Sequence, residues 1–491
     1  MKLKICSFIL LQVFLQPLIF GQSLNEKIHQ VENNLMPYAQ VAGKEVQTFN
    51  IEDRMRFYHV PAISIAIINN GKIEWAKAYG LADSSTNEKA TTKTLFQAGS
   101  ISKSLNAACI QLLVRENKLN LLNDFRTYLK TWKFPENEFS KDSKITIQNL
   151  LDHTAGLTVH GFNGYAKGDS IPSINLTLDG KRPANNPKIE SFIKPNERSE
   201  YSGGGTTVLQ KILQDNFDKD YARLLKVKIL NPLKMGNSTF SQPLQIRLQR
   251  FAATGYMNRK DMGLNHAEVP GKFHTYPELA AAGLWTTPTD LAKFVIAIQK
   301  SLIGKKESLF DSTLMKSFLI PRLSNSDASL GFFYEKIGGQ EYFYHGGGTW
   351  GFTSTFYGTL NSGKGLVIMT NSDNGMIVSE MYRSIAKVYN WKDAGIPQKK
   401  EVVNLDDTQI AKYVGDYYCQ DKKITFSIRK ANNHLEVRRD DNNFEEMLFS
   451  NNKQFFVYST LTGWEFSLTD KQEYQLLFND GQGTQTALKI K

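Results

Sequence analysis

Cysteine is nearly absent from this chain of 491 residues, which has three. Cys6 lies near the N-terminus, and Cys109 and Cys419 fall in what read as different domains, so a disulfide framework is excluded. A membrane-spanning run is also missing. The apolar stretch Ile5–Phe20 is shorter than the about 20 residues a bilayer demands, and Gln12, Gln16 and Pro17 interrupt it. The eight histidines show neither His-Glu-x-x-His nor paired-cysteine spacing, so no metal and no cofactor are expected. Runs of basic residues interleaved with aromatics are lacking as well. The 59 Lys and Arg against 48 Asp and Glu give a net charge of +11, but they are spread among the acids. That pattern excludes nucleic acid as a partner and is compatible with anionic cell-envelope material.

What is present at the start is an address. Met1-Lys-Leu-Lys4, the apolar Ile5–Phe20 and Gly21-Gln22-Ser23 read as a signal peptide over 1–22. Cys6 lies too early for a lipoprotein signal. The expectation is a periplasmic or secreted protein with no integral membrane span after cleavage.

The most informative stretch is Ser100-Ile101-Ser102-Lys103. Ser-x-x-Lys at the start of a helix sets a hydroxyl and an amine one turn apart on the same face. The apolar positions Ile101, Leu105, Ala108, Cys109 and Leu112 predict one buried stripe along that helix. A serine hydroxyl is a weak nucleophile until a neighbouring base takes its proton, and the lysine can do so only when deprotonated. Tyr201, in Glu-Tyr201-Ser202-Gly203-Gly204-Gly205, stands on a loop before the helical pattern Val208, Leu209, Ile212, Leu213. A phenol held near a lysine can act as a general base. His345-Gly346-Gly347-Gly348 precedes the strand-like runs Phe352–Tyr357 and Leu366–Thr370. Backbone free of side chains lets a substrate lie against it and a main-chain N–H face an oxyanion.

In this order the three motifs resemble those of the serine β-lactamase and penicillin-binding protein superfamily. Within it the chain is similar to the class C β-lactamase-like hydrolases, which include D-Ala-D-Ala carboxypeptidases, D-aminopeptidases and esterases. The resemblance covers roughly residues 50–390, with support from Ile145–Leu157, Tyr276–Pro288 and the hairpin Val60–Gly80. It implies Ser100 as nucleophile, Lys103 and Tyr201 as the base system, and an oxyanion hole from the N–H groups of Ser100 and Gly348. His345 and Gly347 would line the substrate strand. Gly203 stands where the family often has an asparagine that holds an acylamino side chain, and His345 replaces a lysine. Both departures point away from carboxylate-bearing antibiotics. The activity implied is amide or ester cleavage through an acyl-enzyme; a sensor that is acylated without turnover and a true β-lactamase remain the alternatives. His153 and His160 are expected to hydrogen-bond loop backbone.

The organisation implied is α/β of the α+β type: an antiparallel sheet flanked by helices with a largely helical insertion over roughly 100–320, together forming a hydrolase domain over 23–395. Ile377, Met381, Ile385 and Val388 predict a closing helix on the sheet, and Gly161–Asn186 reads as an unpatterned loop over the site. A linker follows at 396–403. From 404 to 491, short alternating runs separated by Asn, Asp and Gly predict a small barrel or sandwich, which resembles the lipocalin-like domain attached to some of these hydrolases.

Overall fold

A computed structural model describes residues 22–259, 264–479 and 483–490. The signal peptide read over 1–22 lies outside the described residues, apart from Gln22.

Alternation along Ala-Ile-Ser-Ile-Ala-Ile-Ile-Asn explains the central strand. In β1 (Ala62–Asn69), Ile63, Ile65 and Ile67 enter one core and Ala62, Ala66 and Ile68 the other, as successive side chains on a strand must. Asn70 (φ 51°) and Gly71 (φ 67°) then turn the chain into β2 (Lys72–Asp83), the left-handed pair that a tight hairpin requires. With β3 (Glu88–Lys89), β4 (Phe333–Ile337), β5 (Gln340–Thr349), β6 (Phe352–Thr359) and β7 (Gly365–Thr370), they form a seven-stranded antiparallel sheet in the order β3-β2-β1-β7-β6-β5-β4.

The helices that matter here are α1 (Ser102–Arg115), α2 (Ile174–Asp179), α3 (Gly203–Asn216), α4 (Leu279–Ala282), α5 (Pro288–Leu302) and α6 (Met376–Val388). Helix α5 begins on a Thr287 cap with Pro288 in its first turn and packs on β1, β6 and β7. Helix α6 covers the opposite face through Ile377, Met381 and Ile385. Burial of each such side chain contributes about 1.5–3 kcal/mol.

Three local expectations are corrected. Helix α1 is buried on every side from Ser102 to Leu113 rather than along one stripe, because the helices Leu279–Ala282, Tyr221–Leu225, Lys226–Leu230 and Ser312–Leu319 pack around it. The Gly161–Asn186 loop contains α2, capped by Ser173, ended by left-handed Gly180 and anchored by buried Thr177 and Leu178; so short a helix leaves no periodicity to read. Within the segment read as a linker, Gln398–Lys400 pairs in parallel with Ala39–Val41.

Beyond it, α7 (Asp407–Tyr413) leads into β8 (Gly415–Cys419), β9 (Ile424–Ala431), β10 (His434–Arg439), β11 (Glu445–Glu446), β12 (Leu448–Phe449), β13 (Gln454–Val457), β14 (Thr460–Leu468), β15 (Tyr474–Asn479) and β16 (Thr484–Lys489). The strand order is β11-β10-β9-β8-β16-β15-β14-β13-β12. Its two edge strands are separated by Met447 alone, so the sheet must curl round into a barrel-like form. Phe426, Phe455, Phe466, Leu476 and Phe478 fill its core.

Candidate active site

Ser100 sits in a short 3-10 turn, Gly99–Ile101, that feeds directly into α1. The turn is held from three directions. Ser102 Oγ donates to the Gly99 carbonyl at 2.6 Å and accepts from Leu284 N at 3.0 Å, and Ser354 Oγ on β6 donates to the Ala98 carbonyl at 3.0 Å. One helical turn on, Lys103 Nζ lies 2.9 Å from Ser100 Oγ and 2.9 Å from the carbonyl of Ala281, and its side chain is buried. The i, i+3 spacing thus delivers the contact that it promises.

Tyr201 is set by the start of α3. Ser202 caps that helix, accepting from Gly205 N at 2.9 Å, and its backbone N–H donates to His153 Nδ1 at 3.2 Å. Gly203 N donates to the His160 carbonyl and Gly204 N to the Val159 carbonyl, at 3.0 and 2.9 Å. These bonds stitch the 153–160 loop to α3 and place the Tyr201 ring between His153, centroid to centroid 4.4 Å, and His160, 4.9 Å. Lys103 Nζ is 4.9 Å from the centre of the same ring. Phe333 on β4 stacks on Tyr201 at 6.1 Å. The His153 ring therefore bonds loop backbone as expected, whereas His160 does so only through its main-chain carbonyl, and both rings pack on the tyrosine, a contact that only the tertiary fold creates.

The third motif lies at the end of β5. Strand β4 pairs with Gln340–Tyr344, and from His345 to Thr349 strand β5 pairs with β6 alone among the described strands. Gly346 and Gly348 are exposed along this edge. Glycine is required by contact at Gly347, where a Cβ would fall 1.9 Å from the Ala98 carbonyl oxygen. Likewise, a Cβ on Gly99 would fall 2.8 Å from the backbone N of Gly348. The serine turn and the glycine strand touch main chain to main chain.

His345 differs from a lysine in more than basicity. Its ring is buried, and Nδ1, necessarily carrying the hydrogen, donates to the Gly346 carbonyl at 2.6 Å. Burial, reinforced by nearby Lys103, pushes its pKa down to about 3. It offers no pH-dependent cation to a substrate carboxylate near neutrality. Burial likewise holds His153 well below the ordinary imidazole range. At Gly203 a Cβ would meet the His160 carbonyl and the Phe162 ring, each at 3.1 Å.

The segment Tyr276–Ala282, seen in the sequence only as a supporting match, touches all three motifs. Besides the Ala281 carbonyl on Lys103, Gln210 of α3 donates to the Pro277 carbonyl at 3.1 Å and accepts from Ala280 N at 2.9 Å, and the Tyr276 hydroxyl accepts from Trp350 N at 3.2 Å.

Comparison with known proteins bears on the family and the fold. A family model described as Beta-lactamase matches residues 50–390. Protein flp of Staphylococcus aureus (strain MRSA252) is 30% identical over 39% of this chain and 37% of its own length. Teichoic acid D-alanine hydrolase of the same strain is 28% identical over 48% of this chain and 54% of its own. The chain thus spans about half or less of these curated relatives. Among solved structures, the octameric penicillin-binding protein homologue from Pyrococcus abyssi superposes with a TM-score of 0.60 at 21% identity, covering 89% of this chain and 98% of that one. FmtA from Staphylococcus aureus does so with a TM-score of 0.54 at 21% identity, over 72% and 91%. At these identities the likeness is one of fold. No helix among the described residues is long and apolar enough to cross a membrane.

Proposed function

This chain belongs to the Beta-lactamase family, and from that premise we propose that it is an exported serine hydrolase cleaving small esters or amides, D-alanyl esters of cell-envelope polymers among them, through an acyl-enzyme on Ser100. The observation that carries the reading is the 2.9 Å approach of Lys103 Nζ to Ser100 Oγ. In its neutral amine form Lys103 takes the hydroxyl proton as Ser100 Oγ attacks the carbonyl carbon. The oxyanion that forms faces the backbone N–H groups of Ser100 and Gly348, and each such donor contributes about 2.7–4 kcal/mol to the barrier. Lys103 and Tyr201 pass the proton to the leaving group. The same pair then activates the water that releases the acyl group.

Two features support a substrate that carries neither an acylamino side chain nor a carboxylate. Gly203 supplies no amide for an acylamino group, and His345 is buried and neutral where a lysine would attract an anion. The relative named Teichoic acid D-alanine hydrolase supports an acyl-ester substrate and action outside the cytoplasm. Incubation with p-nitrophenyl esters, D-amino-acid amides and nitrocefin, followed by intact mass, tests the reading. The expected result is ester or amide turnover with kcat/KM at least about tenfold above that for nitrocefin, a gap of about 1.4 kcal/mol. A stable adduct without turnover identifies a sensor, and faster cleavage of nitrocefin than of every ester identifies a β-lactamase; either outcome refutes the proposal.

A further inference from the structure

Glu278 is completely buried, and its carboxyl finds no hydrogen-bond partner on any other residue, only its own backbone N–H to lean on. Buried carboxylates are ordinarily paired, because taking an unpaired charge out of water is expensive. This one sits in the middle of the segment that joins the three catalytic elements. Two residues before it, the Tyr276 hydroxyl holds Trp350 at the end of β5. The neighbouring Pro277 carbonyl and Ala280 N–H bracket Gln210 of the Tyr201 helix. Three residues after it, the Ala281 carbonyl holds Lys103. The Glu278 carbonyl itself accepts from Ala281 N at 3.0 Å and from Ala282 N at 2.9 Å, so any movement of this residue is carried to the lysine's anchor.

We propose that Glu278 is a positioning residue of the catalytic site and works in its protonated form: neutral, it lets the Tyr276–Ala282 segment keep Lys103, the Tyr201 helix and the end of β5 together, and ionised, it loosens them. The inference rests on the hydrolase reading above. Burial pushes the Glu278 carboxyl up to about 7, so the two forms exchange where the enzyme operates. The groups around it do not neutralise the charge. On its own segment is the Tyr276 phenol and on the 161–186 loop the Tyr165 phenol, both held protonated by burial. Next to Tyr276, His274 stacks on Trp350 and is kept neutral by burial. Helix α3 brings the uncharged Gln210, and α1 brings Lys103, whose contacts go to Ser100 and Ala281. An ionised Glu278 must draw in water or a donor, and the packed segment has to open to supply either.

The test compares the pH dependence of kcat/KM for an aryl ester in the wild type and in Glu278→Gln between about pH 5 and about pH 9. The glutamine matches the protonated carboxyl in shape and cannot ionise. The wild type is expected to lose activity on the alkaline side with a midpoint near that of Glu278, and the variant to keep it. One pH unit above the midpoint the variant should lead by about tenfold, relative to their ratio on the acid side. Parallel profiles overturn the proposal. If the variant does not fold, a titration of wild type labelled with 13C-glutamate gives the same reading. A carboxyl carbon that titrates in step with the loss of activity supports the role, and the absence of such a carbon overturns it. Labelling by a fluorophosphonate on the acid side separates this idea from the one beneath it. A protein that is not labelled at Ser100 at any pH refutes the hydrolase reading, whereas one labelled equally on both sides of the midpoint refutes only the role of Glu278.

Discussion

Rings fill the C-terminal barrel, whereas the hydrolase domain encloses polar groups. In the barrel, Phe426, Phe455, Phe466 and Phe478 make the core, and phenols aside, the polar side chains it encloses among its described residues come down to Ser459 and the Glu445 carboxyl that accepts from it. Around α1 alone, Ser102, Lys103, Ser104, Asn106 and Gln111 are buried, and Glu278 lies close by in sequence to the lysine's anchor. A buried polar group costs stability unless it is paired, so a fold retains such groups where something other than stability selects them. The barrel is built to stay folded and the hydrolase domain to hold reactive groups in place. Substitutions in the two regions should therefore separate activity from stability.

The largest effect expected is on activity alone. Ser100→Ala removes one hydroxyl from a half-buried turn, so kcat/KM should fall at least about 10⁴-fold with the unfolding transition unmoved. Residual covalent labelling by a phosphonate in this variant would assign the nucleophile elsewhere. The converse belongs to the barrel. Phe466 is fully buried and stacks on Tyr413 at 4.0 Å, so Phe466→Ala should cost about 3–5 kcal/mol of barrel stability while kcat/KM stays within about twofold of wild type. A matching collapse of activity in the folded variant would show that the barrel shapes the site.

A smaller effect comes from acid. The folded pKa of His345 is depressed, to about 3, below an unfolded value of about 6.5. The stability it contributes is therefore present above about pH 6.5 and lost as the pH falls towards 3. By about pH 5 the loss should reach about 2 kcal/mol, and His153 shifts in the same direction. The barrel has a single histidine, the part-exposed His434. Urea unfolding followed separately in the two regions should show the acid dependence in the hydrolase domain and little in the barrel. Wild-type dependence persisting in His345→Gln would show that the imidazole is not held neutral.

Much of this was legible in the sequence where the signal is local. Ser100 and Lys103 meet because three residues on a helix return to the same face, and Tyr201 precedes α3 because Ser202 is a good cap. The barrel strands were visible as period-two runs. What could not be read depends on residues distant in sequence. The burial of His345 comes from Phe333 of the sheet and Tyr201 of the insertion closing over it, and the all-round burial of α1 comes from helices distant in sequence. Glu278 left one faint mark: apart from His274 and the Tyr276 phenol, it is the only ionisable acid or base between Lys272 and Asp290, in a run otherwise fit for a core. The close approach at Gly347 has no signature beyond the glycine itself, since a carbonyl 1.9 Å from an imagined Cβ belongs to Ala98, far away along the chain.

The smallest effect tests the most local difference from the family pattern. Gly203 occupies the first turn of α3 beside Tyr201, and a side chain there meets the His160 carbonyl and the Phe162 ring at 3.1 Å. The carbonyl is fixed by its bond from Gly203 N, but Phe162 is only part-buried and can move by the few tenths of an ångström needed. Gly203→Asn should therefore fold with a penalty of about 1 kcal/mol from the tightened contact. Its amide then adds one neutral hydrogen bond to an acylamino substrate, a gain of about 0.5–1.5 kcal/mol that an aryl acetate does not share. The ratio of kcat/KM for nitrocefin to that for the acetate should rise by about two- to tenfold. The neutral His345 remains, so esters should still be preferred. An unchanged ratio in a folded variant would mean that substrates do not reach the first turn of α3, and that the preference for esters is set along β5 alone.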